Sequence, residues 1–455
     1  MKLLKQTSLF LLMVLMAASA SAQNPIIQTN YTADPAPMVH DATVYLYTSH
    51  DEDTTVRNFF TMNDWKCYST KDMVNWTDHG TVLSYKAFSW SRGDAWAGQC
   101  IPRNGKFYYY LPVNQKNGGN AIGVAVSDSP TGPFKDALGV PLLTGYGYID
   151  PTVFIDADGQ AYLYWGNPNL WYVKLNPDMV SYDKQLGIVQ VPLTKEGFSV
   201  RYKDSIKRPS SYEEGPWLYK RKDLFYLLYP AGGVPEHLAY STAKSITGPW
   251  TYQDTIMHVI QKGGAFTNHP GLIDFKGKPY LFYHNGALPG GGGFKRSVCV
   301  EPFEFNADGT IPLIAPTKEG VTVSAAPLNP FNRVEAETIG WEEGIETANN
   351  ATSGVFVTDI DPGDYIKVSS VDFGKGAKQF QASVASAKKG SSIEIRLDSP
   401  TGTLLGTCAL KASNTSAWTL QTCKITETKG IHTVYLVFKG SGSKLFQFDW
   451  WNLKS

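Results

Sequence analysis

Three carboxylates stand at matching points of a repeated pattern: Asp34 and Asp150, each followed by proline, and Glu214, followed by Gly215-Pro216. Carboxylates confined to one pocket cannot all ionise cheaply. At least one pKa rises, and the roles divide into an ionised base and a protonated acid. Hydrolysis of a glycosidic bond with inversion requires that pair, roughly 6.5–9.5 Å apart so that a water fits between. Taken singly, each residue has a plainer reading. Asp before proline commonly enters a turn or strand, and a Glu beside Glu213 is ordinarily a solvated charge. The chemical argument rests on their shared phase.

That phase belongs to five segments built on one template: a polar residue near a proline, an apolar strand, a polar turn and a Tyr-rich strand. The heads are Asp34, Trp96, Asp150, Glu214 and His269. Three of the turns are Asn104-Gly105, Asp158-Gly159 and Lys276-Gly277, which fit hairpins. Units of roughly 55 to 60 residues holding several short strands are the signature of propeller blades. Segments with a helical period are lacking, and the small repeat number favours a closed ring. The expected fold class is all-β: a five-bladed β-propeller followed by a β-sandwich (jelly-roll) module. First strands line the axis of such a ring, so the five heads become neighbours. By repeat phase, Trp96 is the expected sugar platform and Trp90 a second one, whereas His269 reads as a structural residue near the site rather than a general base.

The chain has 455 residues, with 41 Lys plus Arg against 41 Asp plus Glu. A formally neutral chain has no field to draw it to nucleic acid or an anionic membrane. An uncharged partner is expected, and a monomer. Aromatics reach 13%, with 12 Trp and 25 Tyr, and their flat apolar faces suit sugar rings. Lys2 and Lys5, the apolar run Leu9 to Met16 and Ala20-Ser21-Ala22 read as a cleavable signal peptide over residues 1–22. No Cys follows the cleavage site to carry a lipid, so a secreted or periplasmic protein is expected. Five cysteines are no disulfide framework. Cys408 and Cys423 lie on neighbouring strand-like runs where one bridge fits, and Cys67, Cys100 and Cys299 read as buried thiols. Asp156-Ala157-Asp158-Gly159 starts like a calcium loop, but its twelfth position is Asn167. The run Gly290 to Gly293 lacks the Gly-Lys-Ser/Thr of a phosphate loop and reads as a flexible surface loop.

Residues 24–316 resemble glycoside hydrolase family 43, particularly its arabinoxylan α-L-arabinofuranosidases. The resemblance rests on Ala33-Asp34-Pro35-Ala36-Pro37, Tyr148-Ile149-Asp150-Pro151, Glu214-Gly215-Pro216-Trp217, Asn268-His269-Pro270-Gly271 and Lys295-Arg296-Ser297. It implies Asp34 as the base that activates water, Glu214 as the acid and Asp150 as the carboxylate that orients Glu214 and raises its pKa. Glu214 is preferred to Glu213 because the family's acid directly precedes a small residue and then proline. Arg296 would bind sugar hydroxyls or a carboxylate, and His269 would help hold a calcium ion through water. Catalysis itself would need no cofactor. Plant cell-wall polysaccharide is the implied substrate. An endo-arabinanase or β-xylosidase on the same scaffold is the near rival, and a non-catalytic sugar-binding propeller the distant one.

Residues 321–332 read as a linker between a catalytic domain at 23–320 and a module at 333–455, where alternation has period two. The module resembles carbohydrate-binding module family 6 through Val334-Glu335-Ala336-Glu337, Asp361-Pro362-Gly363-Asp364-Tyr365, Trp418 and Phe448-Asp449-Trp450. The resemblance implies a structural calcium on Glu335, Glu337 and Asp449, and Trp418 as one wall of a sugar cleft. A usual second aromatic wall aligns with Asp359, and a usual Asn with Gln447.

Overall fold

A computed structural model describes residues 24–201, 208 and 210–455. The signal-peptide segment lies outside the described residues. Regular structure among them is almost all strand, the exceptions being a four-residue helix, Lys195–Phe198, and one 3-10 turn.

Alternating apolar positions and tight turns fold residues 31–302 into five antiparallel sheets. Asn104-Gly105 and Lys276-Gly277 have positive φ at both positions, as the two-residue type I′ hairpin demands. Each sheet contains one strand of a template segment: Tyr31–His40, Gln99–Arg103, Thr152–Ile155, Trp217–Arg221 and Gly271–Phe275. These five strands touch in cyclic order, each packed on the next and the last on the first. Polar bonds tie neighbours around the ring. Gln99 accepts from Thr152 Oγ1 (2.6 Å) and Val153 N (2.9 Å), and Trp217 Nε1 donates to the Leu272 carbonyl at 3.1 Å. Tyr47, Trp65, Tyr109, Leu228 and Tyr283 are buried between sheets. Residues just ahead of the first strand close the circle: Ile26 N donates to Val298 O at 2.9 Å, and the Asn24 side chain bonds Val300 at both N and O.

Beyond residue 333, two sheets of six and five strands share one core that includes Phe380, Phe448, Trp451, Ile393 and Leu436. The stretch expected as a linker is strapped down rather than free, because its apolar residues find cores to join. Val321 is buried against the ring, and Leu328 and Phe331 pack on the module. Ala325 N donates to Asp72 O, and Leu328 exchanges backbone bonds with Ser370 and Asp372. The two regions are stitched further: Thr338–Ile339 adds to the edge of the first sheet, and Asn75 bonds both the N–H and the carbonyl of Ser369.

Candidate functional site

The inner strands deliver their heads to one end of the ring through an unusual backbone. Asp34 (φ 53°), Asp150 (φ 54°) and Gly215 (φ 52°) are all left-handed and all precede proline. A left-handed non-glycine residue costs about 1–3 kcal/mol and tends to mark a functional constraint. Structurally, then, Gly215 is the counterpart of Asp34 and Asp150, and Glu214 sits one residue out of phase. Gly215 is also sterically required, since a Cβ there would stand 2.9 Å from His269 Nδ1. Gly215→Ala is expected to lower stability by about 1–3 kcal/mol, and kcat with it by tilting Glu214. Thermal melting and initial rates check both.

Asp34, Trp96, Asp150, Glu214, His269 and Arg296 line one cavity of about 220 Å³. Asp34 is buried and accepts hydrogen bonds from Ser49 Oγ (2.8 Å) and the Arg296 guanidinium (2.9 Å). Burial alone would raise its carboxyl, but Arg296, the nearby histidines and Ser49 outweigh that and hold it below the usual aspartate range. Both histidines are neutral at pH 7, pushed down by burial to about 4 for His269 and about 3 for His284. The holding charge is therefore Arg296. His284 fixes the backbone instead: its Nδ1 accepts from Asp34 N at 3.2 Å, so its proton sits on Nε2, which donates to Thr267 O at 2.9 Å.

Arg296 spends its donors on protein groups. Nε and one terminal nitrogen fork onto Asp51 at 2.9 Å each, and the other terminal nitrogen holds Asp34 and Thr267. Both carboxylates that it holds, Asp51 and Asp34, belong to the protein itself.

The other two carboxylates move the opposite way. Burial raises Glu214 to about 7, the charges of Glu213 and Asp34 add to this, and a hydrogen bond from Asn167 opposes it. Burial, then Glu214 and Asp34, push Asp150 well above the usual range against one N–H from Gly215 at 3.3 Å. The Asp150–Glu214 pair titrates as a unit and keeps a proton at neutral pH. Glu213 points elsewhere and is gripped by Arg201 and Arg208. The cavity thus joins an ionised carboxylate to a protonated one, which is what acid–base cleavage of an acetal needs.

Trp90 is not brought to the cavity. Its indole donates to Asp136 at 3.1 Å and its ring packs on Phe88, because the bare Gly123 leaves room for it there. Asp51, Ser49, His284 and Asn167 were not singled out as site residues from the sequence. They lie on second strands or loops, outside the repeat heads.

Comparison with known proteins decides the class. The profile of glycosyl hydrolases family 43 matches residues 22–311, and that of carbohydrate binding module family 6 matches residues 335–455. The chain is a family 43 glycosyl hydrolase. The enzyme is 34% identical to an arabinoxylan arabinofuranohydrolase of Bacillus subtilis (strain 168), over 94% of this chain and 91% of that one. A solved Bacillus subtilis arabinoxylan arabinofuranohydrolase, in complex with cellotetraose, superposes with a TM-score of 0.81 at 30% identity, covering 96% and 99% of the two chains. A β-xylosidase/α-arabinofuranosidase from a compost metagenome, with xylotriose and calcium-free, matches 65% of the hydrolase and 98% of its own chain at 30% identity and TM-score 0.58.

In the module, Trp418 is half-buried, its ring edge-on to Phe356 at 5.5 Å. The position of the usual second wall holds an ion pair, Asp359 with Lys444, so Trp418 has no aromatic facing it there. The expected calcium ligands are neighbours. Arg333 bridges Glu335 (2.7 Å) and Asp449 (3.1 Å), while the buried Glu337 Oε2 has no partner. An all-oxygen donor set with one orphaned buried carboxylate oxygen fits a hard cation. Among the described residues, His50, Glu52 and Asp64 bring ligand atoms within 4.8 Å, but His50 and Asp64 already bond each other at 2.7 Å.

Proposed function

We propose that the enzyme removes α-L-arabinofuranosyl groups from arabinoxylan with inversion, with Asp34 as base, Glu214 as acid and Asp150 as the group that keeps Glu214 protonated. One observation carries the reading: within a single cavity Asp34 is held down by Arg296 while Glu214 is pushed up to about 7. The cavity's size supports the side-group reading, since ligand pockets usually run to about 300–1,000 Å³ and this one suits a single pentose. In the forward reaction Asp34 takes a proton from the attacking water, and Glu214 gives one to the departing oxygen. Asp150 and Glu214 hold a proton between them, so a charge on either one discourages the other from ionising. Arg296 keeps Asp34 ionised and aimed.

On this reading the five sheets are blades of a five-bladed propeller, supported by the cyclic contact of their inner strands. The module is a jelly-roll sandwich, the domain limits are 23–320 and 333–455, and residues 1–22 direct export. The deciding experiment treats wheat arabinoxylan and linear arabinan and follows the products by proton NMR. Arabinose released first as the β-anomer from arabinoxylan supports the proposal. Xylose, arabino-oligosaccharides or the retained anomer would overturn it.

Calcium on Glu335, Glu337 and Asp449 would anchor the module's first strand to its last, and His269 offers a neutral ring nitrogen toward a second ion. Chelation is expected to lower the module's melting temperature, with calcium restoring it; an unchanged melt refutes the module site.

The Cys408–Cys423 bridge remains a proposal that the packing supports. In the structure both are free thiols, but their side chains are hydrogen-bonded to each other, and a Cβ on Gly406 would press on Lys424 O and Ile425. After export, intact mass should read two hydrogens light, and reduction should loosen the loop that carries Trp418.

A further inference from the structure

Four phenylalanines from three loops meet at the rim of the catalytic cavity. Phe294 is the hub, with ring centroids 4.9 Å from Phe60, 4.9 Å from Phe266 and 5.8 Å from Phe59. Phe60 is committed inward, its ring 4.5 Å from the Arg296 guanidinium. Phe59 and Phe266 are not: they are 51% and 45% exposed, and Phe59 lines the cavity mouth. Among the described residues, Tyr146 is the one other aromatic counted as exposed.

The exposure of Phe266 is built. A Cβ on Gly293 would stand 2.1 Å from its ring, so the ring lies flat on bare backbone. The glycine run that reads as a loose loop in the sequence is a folded bracket. Gly292 and Lys295 exchange backbone hydrogen bonds, Gly286 donates to Gly263 O at 2.8 Å, and Gly286 and Gly292 approach too closely for any side chain on Gly286.

A cavity that holds one pentose obliges the rest of a polymer to leave across this rim. We infer that Phe59 and Phe266 form the platform on which the xylopyranosyl main chain lies while its arabinosyl branch occupies the cavity. The inference rests on the proposed function and deepens it. A xylopyranosyl ring has no hydroxymethyl arm and offers flat C–H faces, which stack on aromatic rings. The ledge is continuous with the cavity, so branch and main chain bind together.

The test uses the full chain and two substrates, 4-nitrophenyl α-L-arabinofuranoside, which needs only the cavity, and wheat arabinoxylan. For Phe59→Ala with Phe266→Ala, KM on arabinoxylan should rise about tenfold, while kcat/KM on the aryl substrate stays within about twofold. Gly293→Val, which evicts the Phe266 ring, should likewise raise KM on arabinoxylan while sparing the aryl substrate. Equal losses on both substrates would make the rings mere props of the cavity and overturn the platform. So would an unchanged KM on arabinoxylan. Wild-type enzyme that cleaves the aryl substrate but leaves arabinoxylan intact would overturn the substrate reading, and the platform with it.

Discussion

Glu214→Gln should slow arabinose release from arabinoxylan by about 10²–10⁴-fold, yet spare 4-nitrophenyl α-L-arabinofuranoside, whose leaving group departs with little help. Asp34→Ala should slow both substrates alike, because water must be activated whatever leaves. Swapped patterns would reverse the assignment of acid and base. The pH profile gives an independent reading. Wild-type activity requires Glu214 protonated, so the rate should fall tenfold per unit above about pH 7. Its acid limb should lie below the ordinary aspartate range, where Asp34 finally protonates. In Glu214→Gln the alkaline limb should vanish. Stability should move the other way. A carboxyl whose pKa is raised in the folded state costs stability as pH climbs from its unfolded value, near 4.5, through about 7. Glu214→Gln is therefore expected to melt higher than wild type at pH 8, and the gap should close by pH 4.

Arg296→Leu should be the most damaging single change at the site. It strands two buried carboxylates, Asp34 and Asp51, both held at 2.9 Å by the same guanidinium. Breaking a buried pair in this way costs about 3–5 kcal/mol, readable as a lower denaturant midpoint. Arg296→Lys keeps the charge without the fork. It should recover part of the stability but leave the acid limb of the pH–rate profile shifted upward, since a single ammonium cannot serve both carboxylates. An Arg296→Lys enzyme with wild-type stability and an unmoved acid limb would show that the fork does nothing for Asp34.

The repeat heads were legible because proline marks them: Asp34, Asp150 and Glu214 all stand within two residues of one, and the apolar run that follows must be an inner strand. The class of the site followed. The off-phase position of Glu214 did not, since only the backbone reveals that Gly215 holds the left-handed place. Asp51 looks like any polar residue at a strand end until Arg296, 245 positions away, is folded against it. Asn167 stood in plain view as the wrong ligand for a calcium loop, and its partner proved to be Glu214. Trp90 misled because repeat position says nothing of side-chain direction, and there Gly123 decided it. The glycines at 290–293 misled for a related reason: without side chains they carry no pattern, although their emptiness is what seats Phe266.

The contact of Asn24 and Ile26 with residues 298–300 has a kinetic consequence. A ring sealed by its own first residues cannot finish folding until nearly the whole catalytic region has emerged and its fifth sheet has formed. Such long-range pairings carry a loop-closure cost before they return anything, and they slow folding. During synthesis the four earlier sheets must wait with one flank open. That unfinished edge invites pairing with another chain, which places the enzyme's period of greatest aggregation risk in its assembly rather than in its working life.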